Sequence, residues 1–167
     1  HIRTTDIYFG NGPSRFLLHT YPMGIYFNAD YERFIDEGVA DSDTIANAIA
    51  FQPGASAGLL FDDKARAKYP NEYGRYPRRE QLIKTADSIE ELARKMHLDP
   101  VRLKALVDAF NASIVNGKAS GPQLPKSRLA VPLDTPPYYG FHPVLPAMNH
   151  TLGGLVVEGR SCQVMKE

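Results

Sequence analysis

Hydrophobic and polar residues follow two patterns along the chain, and the change between them predicts an α+β fold. Residues 7–35 mix aromatic and small residues, and Ile25-Tyr26-Phe27 favours a strand because aromatic and β-branched side chains suit a pleated surface. Gly58-Leu59-Leu60-Phe61 predicts a buried strand. Strands at both ends around a helical middle indicate an α+β unit rather than alternating βα repeats.

The middle of the chain predicts three helices. The first begins at Asp41-Ser42-Asp43, whose side chains can accept free N–H groups, and ends at Pro53-Gly54. Ser88-Ile89-Glu90-Glu91 has the form of a capping box and opens a second helix, which extends to about His97. Asp99-Pro100 then caps and starts the third helix.

Other stretches lack a regular pattern. Residues 64–79 are rich in tyrosine, proline and arginine and predict a surface excursion. Asn116-Gly117 stops the third helix, and the proline-containing segment from there to Pro146 is too broken for regular elements of any length. Beyond it, residues 154–157 and 162–165 flank a four-residue turn, which predicts a hairpin.

Composition and charge narrow the class of protein. The chain has 167 residues and is 43% hydrophobic, enough for one buried core. Nineteen basic residues balance nineteen acidic ones, so no net charge attracts nucleic acid or an anionic membrane. No apolar run approaches the roughly 20 residues of a membrane-spanning helix. The single cysteine, Cys162, suits a reducing compartment, and a cytoplasmic location is expected.

The usual short motifs for nucleotides, zinc and serine nucleophiles do not occur in the sequence. It contains no GxGxxG, phosphate loop, HExxH or GxSxG, so any cofactor must be bound mostly elsewhere. None of the five histidines has a partner at the helical i, i+4 spacing that favours a metal site. No cofactor-binding residue and no metal ligand is therefore assigned.

His150 is the most informative histidine. It precedes Thr151 and the pair Gly153-Gly154, which lets backbone come close to a ligand. Imidazole, hydroxyl and N–H groups together suit a carboxylate or carbonyl oxygen. The alternative is that the glycines only start a hairpin and that His150 is a surface or satisfied core residue.

Two further side-chain types have both a functional and a structural interpretation. The Tyr138-Tyr139 pair could supply phenol donors or acids, although tyrosines in such loops more often pack and hydrogen-bond structurally. Arg33 could clamp a carboxylate through two hydrogen bonds, or it could pair with Asp36 or Glu37.

Several segments occur in the order found in the fumarate reductase and succinate dehydrogenase flavoprotein family. Gly24-Ile25-Tyr26-Phe27-Asn28 followed by Arg33-Phe34-Ile35-Asp36-Glu37 resembles the family's stretch G-x-x-V-N-x-x-G-x-R-F-x-x-E. Tyr31 stands where glycine is usual. Pro137-Tyr138-Tyr139 and His150-Thr151-Leu152-Gly153-Gly154-Leu155 are similar to its P-[YF]-Y and H-T-x-G-G-[LV] segments.

The similarity spans residues 24–167. Within the family, residues 52–54, 125–127 and 130–137 look most like the tricarballylate dehydrogenase branch, which oxidises a small tricarboxylate. The resemblance implies that residues 1–167 are a single substrate-capping domain from a larger flavoprotein. The FAD-binding domain of that protein, of Rossmann type, would not be in this chain.

A capping domain of this kind closes over the flavin and excludes water during hydride transfer. The implied cofactor is FAD, bound in the full-length protein. The implied partners are a small carboxylate substrate, the protein's own FAD-binding domain and an electron-transfer partner. The chain by itself is expected to be inactive.

The resemblance also implies roles for individual residues. His150 would bind a substrate carboxylate, and Thr151 with the backbone of Gly153 and Gly154 would shape that pocket. These four residues are the substrate-binding candidates.

The proton donor or acceptor departs from the family pattern. Fumarate reductases place an arginine acid a few residues past R-F-x-x-E, whereas this chain has no arginine between Arg33 and Arg66. A proton must still move opposite the hydride, and Tyr138, Tyr139, His142 or a residue outside this chain could serve. Of these, Tyr139 and His142 are the candidate catalytic residues.

Two other functions fit the same residues. One is a steroid dehydrogenase of the same superfamily, which desaturates a ring ketone with tyrosine as acid or base. The other is a self-contained ligand-binding or interaction module without catalysis, which the missing cofactor motif would allow.

Overall fold

The computed structural model describes residues 6–9, 13–14, 21–40, 42–68, 83–120, 124–147, 158–161 and 163–164. Over these residues the chain combines an antiparallel sheet with helices, so the predicted α+β class is confirmed. The eight described strands are β1 Asp6–Phe9, β2 Pro13–Ser14, β3 Ile25–Phe27, β4 Ala57–Asp62, β5 Lys84–Ala86, β6 Ile114–Val115, β7 Lys118–Ala119 and β8 Tyr138–Ala147. The four described α-helices are α1 Ser42–Ala50, α2 Asp63–Lys68, α3 Ile89–Lys95 and α4 Pro100–Ala112.

Strand β8 is the centre of the main sheet, which has six strands. The strand order is β2-β1-β8-β4-β3, and β5 also pairs with β8. The start of β8 lies between β4 and β5, and its last four residues pair with β1. All of these pairings are antiparallel. Strands β6 and β7 form a separate hairpin.

The prediction of no regular element up to Pro146 is wrong, because all but the last of the ten residues of β8 lie in this segment. Its prolines hid it, since proline removes a donor from the ladder. The paired positions of β8 skip His142 and Pro143, and Pro146 lies past Val144, the last residue that pairs with β4. Pro143 therefore lies outside the paired positions, and Pro146 pairs with Ile7 of β1 but with no residue of β4.

Two shorter elements were also missed. Helix α2 begins directly after β4, and all but its first residue lie in the stretch predicted as a surface excursion. The β6–β7 hairpin turns through Asn116-Gly117, both of which have positive φ. The rest of the predicted excursion, residues 69–79, lies outside the described residues.

The predicted helix starts are confirmed. The hydroxyl of Ser88 accepts a hydrogen bond from the backbone N–H of Glu91 at 3.2 Å. The carboxylate of Asp99 accepts from the backbone N–H groups of Val101 and Arg102 at 2.8 and 3.2 Å. Both caps act within a few residues, so local sequence is sufficient to specify them.

The sheet is covered on both faces. Residues that alternate along the strands separate into two cores, because successive side chains point to opposite faces. One core packs the sheet against α1 and includes Tyr26, Ile45, Ile49, Leu59, Phe61, Tyr139 and Phe141. The other packs it against α3 and α4 and includes Ile25, Phe27, Leu60, Leu92, Met96, Leu103 and Phe110.

Two polar side chains fix the chain where it enters β8. The buried carboxylate of Asp62 accepts from the backbone N–H groups of Asp134 and Thr135, each at 3.2 Å. The side-chain amide of Asn111 accepts from Leu133 N–H at 2.8 Å and donates to its carbonyl at 3.1 Å. These bonds replace ladder contacts in a segment that contains two prolines before β8.

Tyr31 occupies the position where the fumarate reductase flavoprotein motif has glycine, and its φ is +62°. A left-handed conformation costs a non-glycine residue about 1–2 kcal/mol. Three contacts of Tyr31 offset this cost: its hydroxyl accepts from Asp99 N–H at 2.7 Å, its ring stacks on Phe27, and the guanidinium of Arg102 lies 4.4 Å from its ring centre.

The predicted turn at residues 158–161 is present. The N–H of Glu158 donates to the carbonyl of Gln163 at 2.9 Å, and the Glu158 carboxylate accepts from the N–H groups of Arg160 and Ser161. The strands predicted on either side lie largely outside the described residues. Among the described residues, no helix is long and apolar enough to cross a membrane.

Candidate functional site

The four substrate-binding candidates, His150, Thr151, Gly153 and Gly154, lie outside the described residues. The last described residue before them is Ala147, which ends β8 three positions before His150 and pairs with Asp6 of β1. The central strand of the sheet therefore leads directly into the H-T-x-G-G segment.

Tyr139 is buried at the start of β8, and its hydroxyl has two described partners. It donates to Asp63 Oδ1 at 3.0 Å and accepts from Arg66 Nη1 at 2.9 Å. The Arg66 guanidinium also lies 5.1 Å from the centre of the ring. Burial raises the pKa of Tyr139, so its phenol is protonated at neutral pH. This phenol links β8 to α2.

His142 lies further along β8 and is exposed. Its Nδ1 is 3.2 Å from the carbonyl oxygen of Met96. Because a carbonyl can only accept, Nδ1 carries the hydrogen, and Nε2 of the neutral ring keeps its lone pair. Desolvation lowers the pKa of His142, which favours this neutral form.

The fold does not bring Tyr139 and His142 together. Tyr139 belongs to the core beside α1, whereas His142 contacts the end of α3 on the opposite face of the sheet. A Cβ placed on Gly140, between them in sequence, would lie 2.5 Å from the sulfur of Met96. Even-numbered residues of this part of β8 therefore face α3, and the two candidates cannot contact the same small molecule through one face.

Arg33 pairs with Glu37, which confirms the structural alternative for this residue. Its Nη2 lies 2.5 Å from Glu37 Oε2, and both side chains are buried. The same guanidinium donates to the carbonyl oxygens of Leu124 at 2.7 Å and Ile35 at 3.2 Å. Arg33 is thus committed to the fold by these bonds.

Glu37 covers the free edge of the sheet. Its Oε1 accepts from the backbone N–H of Tyr26 in the edge strand β3 at 2.9 Å. Lys126 Nζ lies 3.8 Å from Glu37 Oε2 and donates to the carbonyl oxygen of Gly24, just before β3. We call Arg33, Glu37 and Lys126 the buried charge cluster.

The ring of Phe110 from α4 lies beneath both cations of the buried charge cluster. The distances to its centre are 5.2 Å from Arg33 Cζ and 5.8 Å from Lys126 Nζ. Burial lowers the pKa of Lys126 to about 8, against the attraction of Glu37. Lys126 was missed as a core residue, since a lysine among prolines and serines gives no sequence signal of burial.

Asp63 and Arg66 were also missed as neighbours of Tyr139. They lie more than 70 positions before it in sequence, and only the pairing of β4 with β8 brings α2 beside the tyrosine. No sequence periodicity connects these residues.

Comparison with known proteins gives a consistent result, although no family model matches the chain. It is 29% identical over 147 residues to a probable fumarate reductase of Shewanella frigidimarina, covering 86% of this chain and 24% of that protein. A second relative, a fumarate reductase (cytochrome) of the same organism, is 30% identical over 140 residues, 82% of this chain and 23% of that protein. Homologues of the chain thus include fumarate reductases.

An oxidoreductase of another kind is also among these homologues. The NADH:acrylate oxidoreductase of Vibrio harveyi is 27% identical over 146 residues, which are 86% of this chain and 14% of that protein. The chain therefore spans about a quarter or less of the length of the fumarate reductase flavoproteins and oxidoreductases that it matches.

Solved structures share the fold. The open conformation of a flavocytochrome c3 fumarate reductase matches 94% of this chain with a TM-score of 0.74 at 22% identity, over 27% of its own length. A 3-ketosteroid Δ1-dehydrogenase of Sterolibacterium denitrificans matches with a TM-score of 0.67 at 21% identity, over 94% of this chain and 33% of its own.

A third structure bears on independent folding. The solution structure of a fumarate reductase flavoprotein subunit from Lactobacillus plantarum has a TM-score of 0.52 at 17% identity. The match covers 81% of this chain and 90% of that one. A polypeptide of about this length therefore forms this fold in solution.

We predict that Glu37→Gln destabilises the protein by about 3–5 kcal/mol, because it leaves two buried cations without their anion. The measurement is the free energy of unfolding from urea denaturation. Glu91→Gln is the matched control, since Glu91 pairs with Lys95 at the surface of α3 and its loss should change little. Equal stability of the two variants would contradict a structural role for the buried charge cluster.

We predict a rise in stability at alkaline pH from Lys126. The folded protein loses the Lys126 proton near pH 8, whereas the unfolded chain holds it to about pH 10.5. The contribution is therefore complete above pH 10.5 and is lost as the pH falls through about 8, a change of about 3 kcal/mol. The measurement is the free energy of unfolding of the wild type and of Lys126→Met at pH 7.5 and 10. Between these two pH values, the wild type should gain stability relative to the variant. A constant difference would show that Lys126 titrates normally.

Proposed function

We propose that this chain is the substrate-capping domain of an FAD-dependent dehydrogenase or reductase, in which hydride passes between a small carboxylate and the flavin. The support is the alignment with fumarate reductases over 82–86% of the chain, together with the shared fold. Residues 1–167 are proposed to be one domain of a larger protein, inactive when isolated.

The residues of this chain do not fit the dinucleotide-binding part of a flavin site. The sequence has no GxGxxG, whose glycines let backbone approach a pyrophosphate. The proposal therefore assigns FAD binding to another domain of the whole protein, and FAD would supply the hydride chemistry there. An electron-transfer partner and a cytoplasmic location are part of the same proposal.

The substrate contact is proposed at the segment that follows β8. His150 would hold a substrate carboxylate through a charge-assisted hydrogen bond. Thr151 and the N–H groups of Gly153 and Gly154 would complete the pocket, because glycine lets backbone donors approach closely. The resemblance to the tricarballylate dehydrogenase branch favours a small tricarboxylate as the substrate.

We predict that His150→Ala in the whole flavoprotein lowers kcat/KM for its carboxylate substrate about 10- to 100-fold, through loss of a hydrogen bond to a charged group. The measurement is substrate-dependent reduction or reoxidation of the flavin, followed by absorbance. Lys118→Ala in the exposed β6–β7 hairpin is the control and should behave as wild type. Unchanged kinetics for His150→Ala would remove this residue from the site.

The substrates in that assay also separate the alternatives. Tricarballylate, succinate, fumarate and acrylate test carboxylate chemistry, and a 3-ketosteroid tests the second candidate function, which the shared fold of a ketosteroid dehydrogenase favours. Turnover of the steroid alone would replace the carboxylate proposal. Failure of every substrate to react would favour a binding module without catalysis.

Proton transfer is proposed at Tyr139 or at His142, and their positions on opposite faces of β8 allow only one of them to serve a given substrate. We predict that one of the two variants, Tyr139→Phe or His142→Asn, loses the part of the pH dependence of kcat that reports ionisation of the proton-transfer residue. The other should keep the wild-type profile. If both variants keep it, the proton comes from a residue elsewhere.

A further inference from the structure

His97 has an unusual place at the end of α3. Its φ is +59°, and it follows Met96, which caps the helix. The N–H of His97 donates to Arg94 O at 3.1 Å, and the N–H of Leu98 donates to Ala93 O at 2.9 Å. These two bonds form a Schellman motif, whose left-handed residue is usually glycine because a Cβ is unfavourable there. Because strained backbone conformations cluster at functional sites, His97 is a candidate functional residue.

A second histidine lies beside it. The Nδ1 of His142 is 3.2 Å from the carbonyl oxygen of Met96, and that oxygen is about 2.8 Å from the next Cα by standard peptide geometry. The ring of His142 therefore begins within about 6 Å of His97 Cα. Both side chains are exposed, so both rings can meet a solute from the solvent.

The orientation of His142 is the one that metal-binding histidines adopt. Such histidines donate one ring N–H to a carbonyl and bind the metal through the other nitrogen, and here Nδ1–H is committed to Met96. The Nε2 lone pair is then available as a ligand. Imidazole nitrogen prefers borderline metals such as Zn²⁺, Ni²⁺ and Cu²⁺ over Mg²⁺.

We propose that His97 and His142 form a two-histidine site for a divalent transition-metal ion. Among the described residues, no group of three or more His, Cys, Asp and Glu side chains could hold a metal ion, so water completes the coordination shell. The site shares His142 with the proposed proton transfer, but its readouts are metal binding and stability, which do not depend on the oxidoreductase function.

The test is a calorimetric titration of the whole chain with Zn²⁺ as its chloride salt, with Mg²⁺ as the control cation. We expect the wild type to bind Zn²⁺, and His97→Asn and His142→Asn each to weaken this binding at least about tenfold. His150→Asn is the matched control for background binding by other histidines and should keep the affinity. Equal Zn²⁺ affinity in the wild type and both site variants would overturn the proposal.

His97→Gly separates metal binding from folding. Glycine adopts the left-handed conformation without strain, so this variant should melt at a higher temperature than the wild type. It should also lose the increase in melting temperature that Zn²⁺ produces in the wild type. If Zn²⁺ raises the melting temperature of His97→Gly as much as that of the wild type, the site does not involve His97.

Discussion

The edge of the sheet depends on the hydrogen bond from the backbone N–H of Tyr26 to the buried carboxylate of Glu37. Strand β3 lies at one edge of the main sheet, and the carboxylate of Glu37 accepts a hydrogen bond from the N–H of Tyr26 at that edge. A carboxylate cannot be buried without compensation, so Arg33 and Lys126 must accompany it. Lys126 in turn holds its own loop against Gly24, just before the strand. The buried charge cluster thus joins the loops that carry Arg33 and Lys126 to the edge strand.

This arrangement changes the meaning of the R-F-x-x-E signature in this chain. Arg33 and Glu37 satisfy each other inside the fold, and their oxygens and nitrogens are occupied by backbone groups as well. The signature therefore secures β3, which pairs with β4, which pairs with the central strand β8. The sheet is the scaffold from which the chain continues to the H-T-x-G-G segment.

The helix caps at Ser88 and Asp99 were predictable because each joins a side chain to an N–H group two or three residues away. The ion pair of Arg33 was foreseen as one of two alternatives for the same reason of short spacing. Strand β8 was not predictable, since Pro143 and Pro146 interrupt its pattern and only its pairing with β1 and β4 shows that the segment is a strand.

By itself, the sequence determined the α+β class, the capped helices and the resemblance to fumarate reductase flavoproteins. Tertiary structure alone decided that Tyr139 contacts Asp63 and Arg66, and that His142 contacts the backbone carbonyl of Met96. Local signals arise from hydrogen bonds between residues close in sequence, where spacing specifies geometry. Contacts across 45 or more positions depend on strand pairing and on packing of helices against both faces of the sheet, and no single stretch of sequence encodes these.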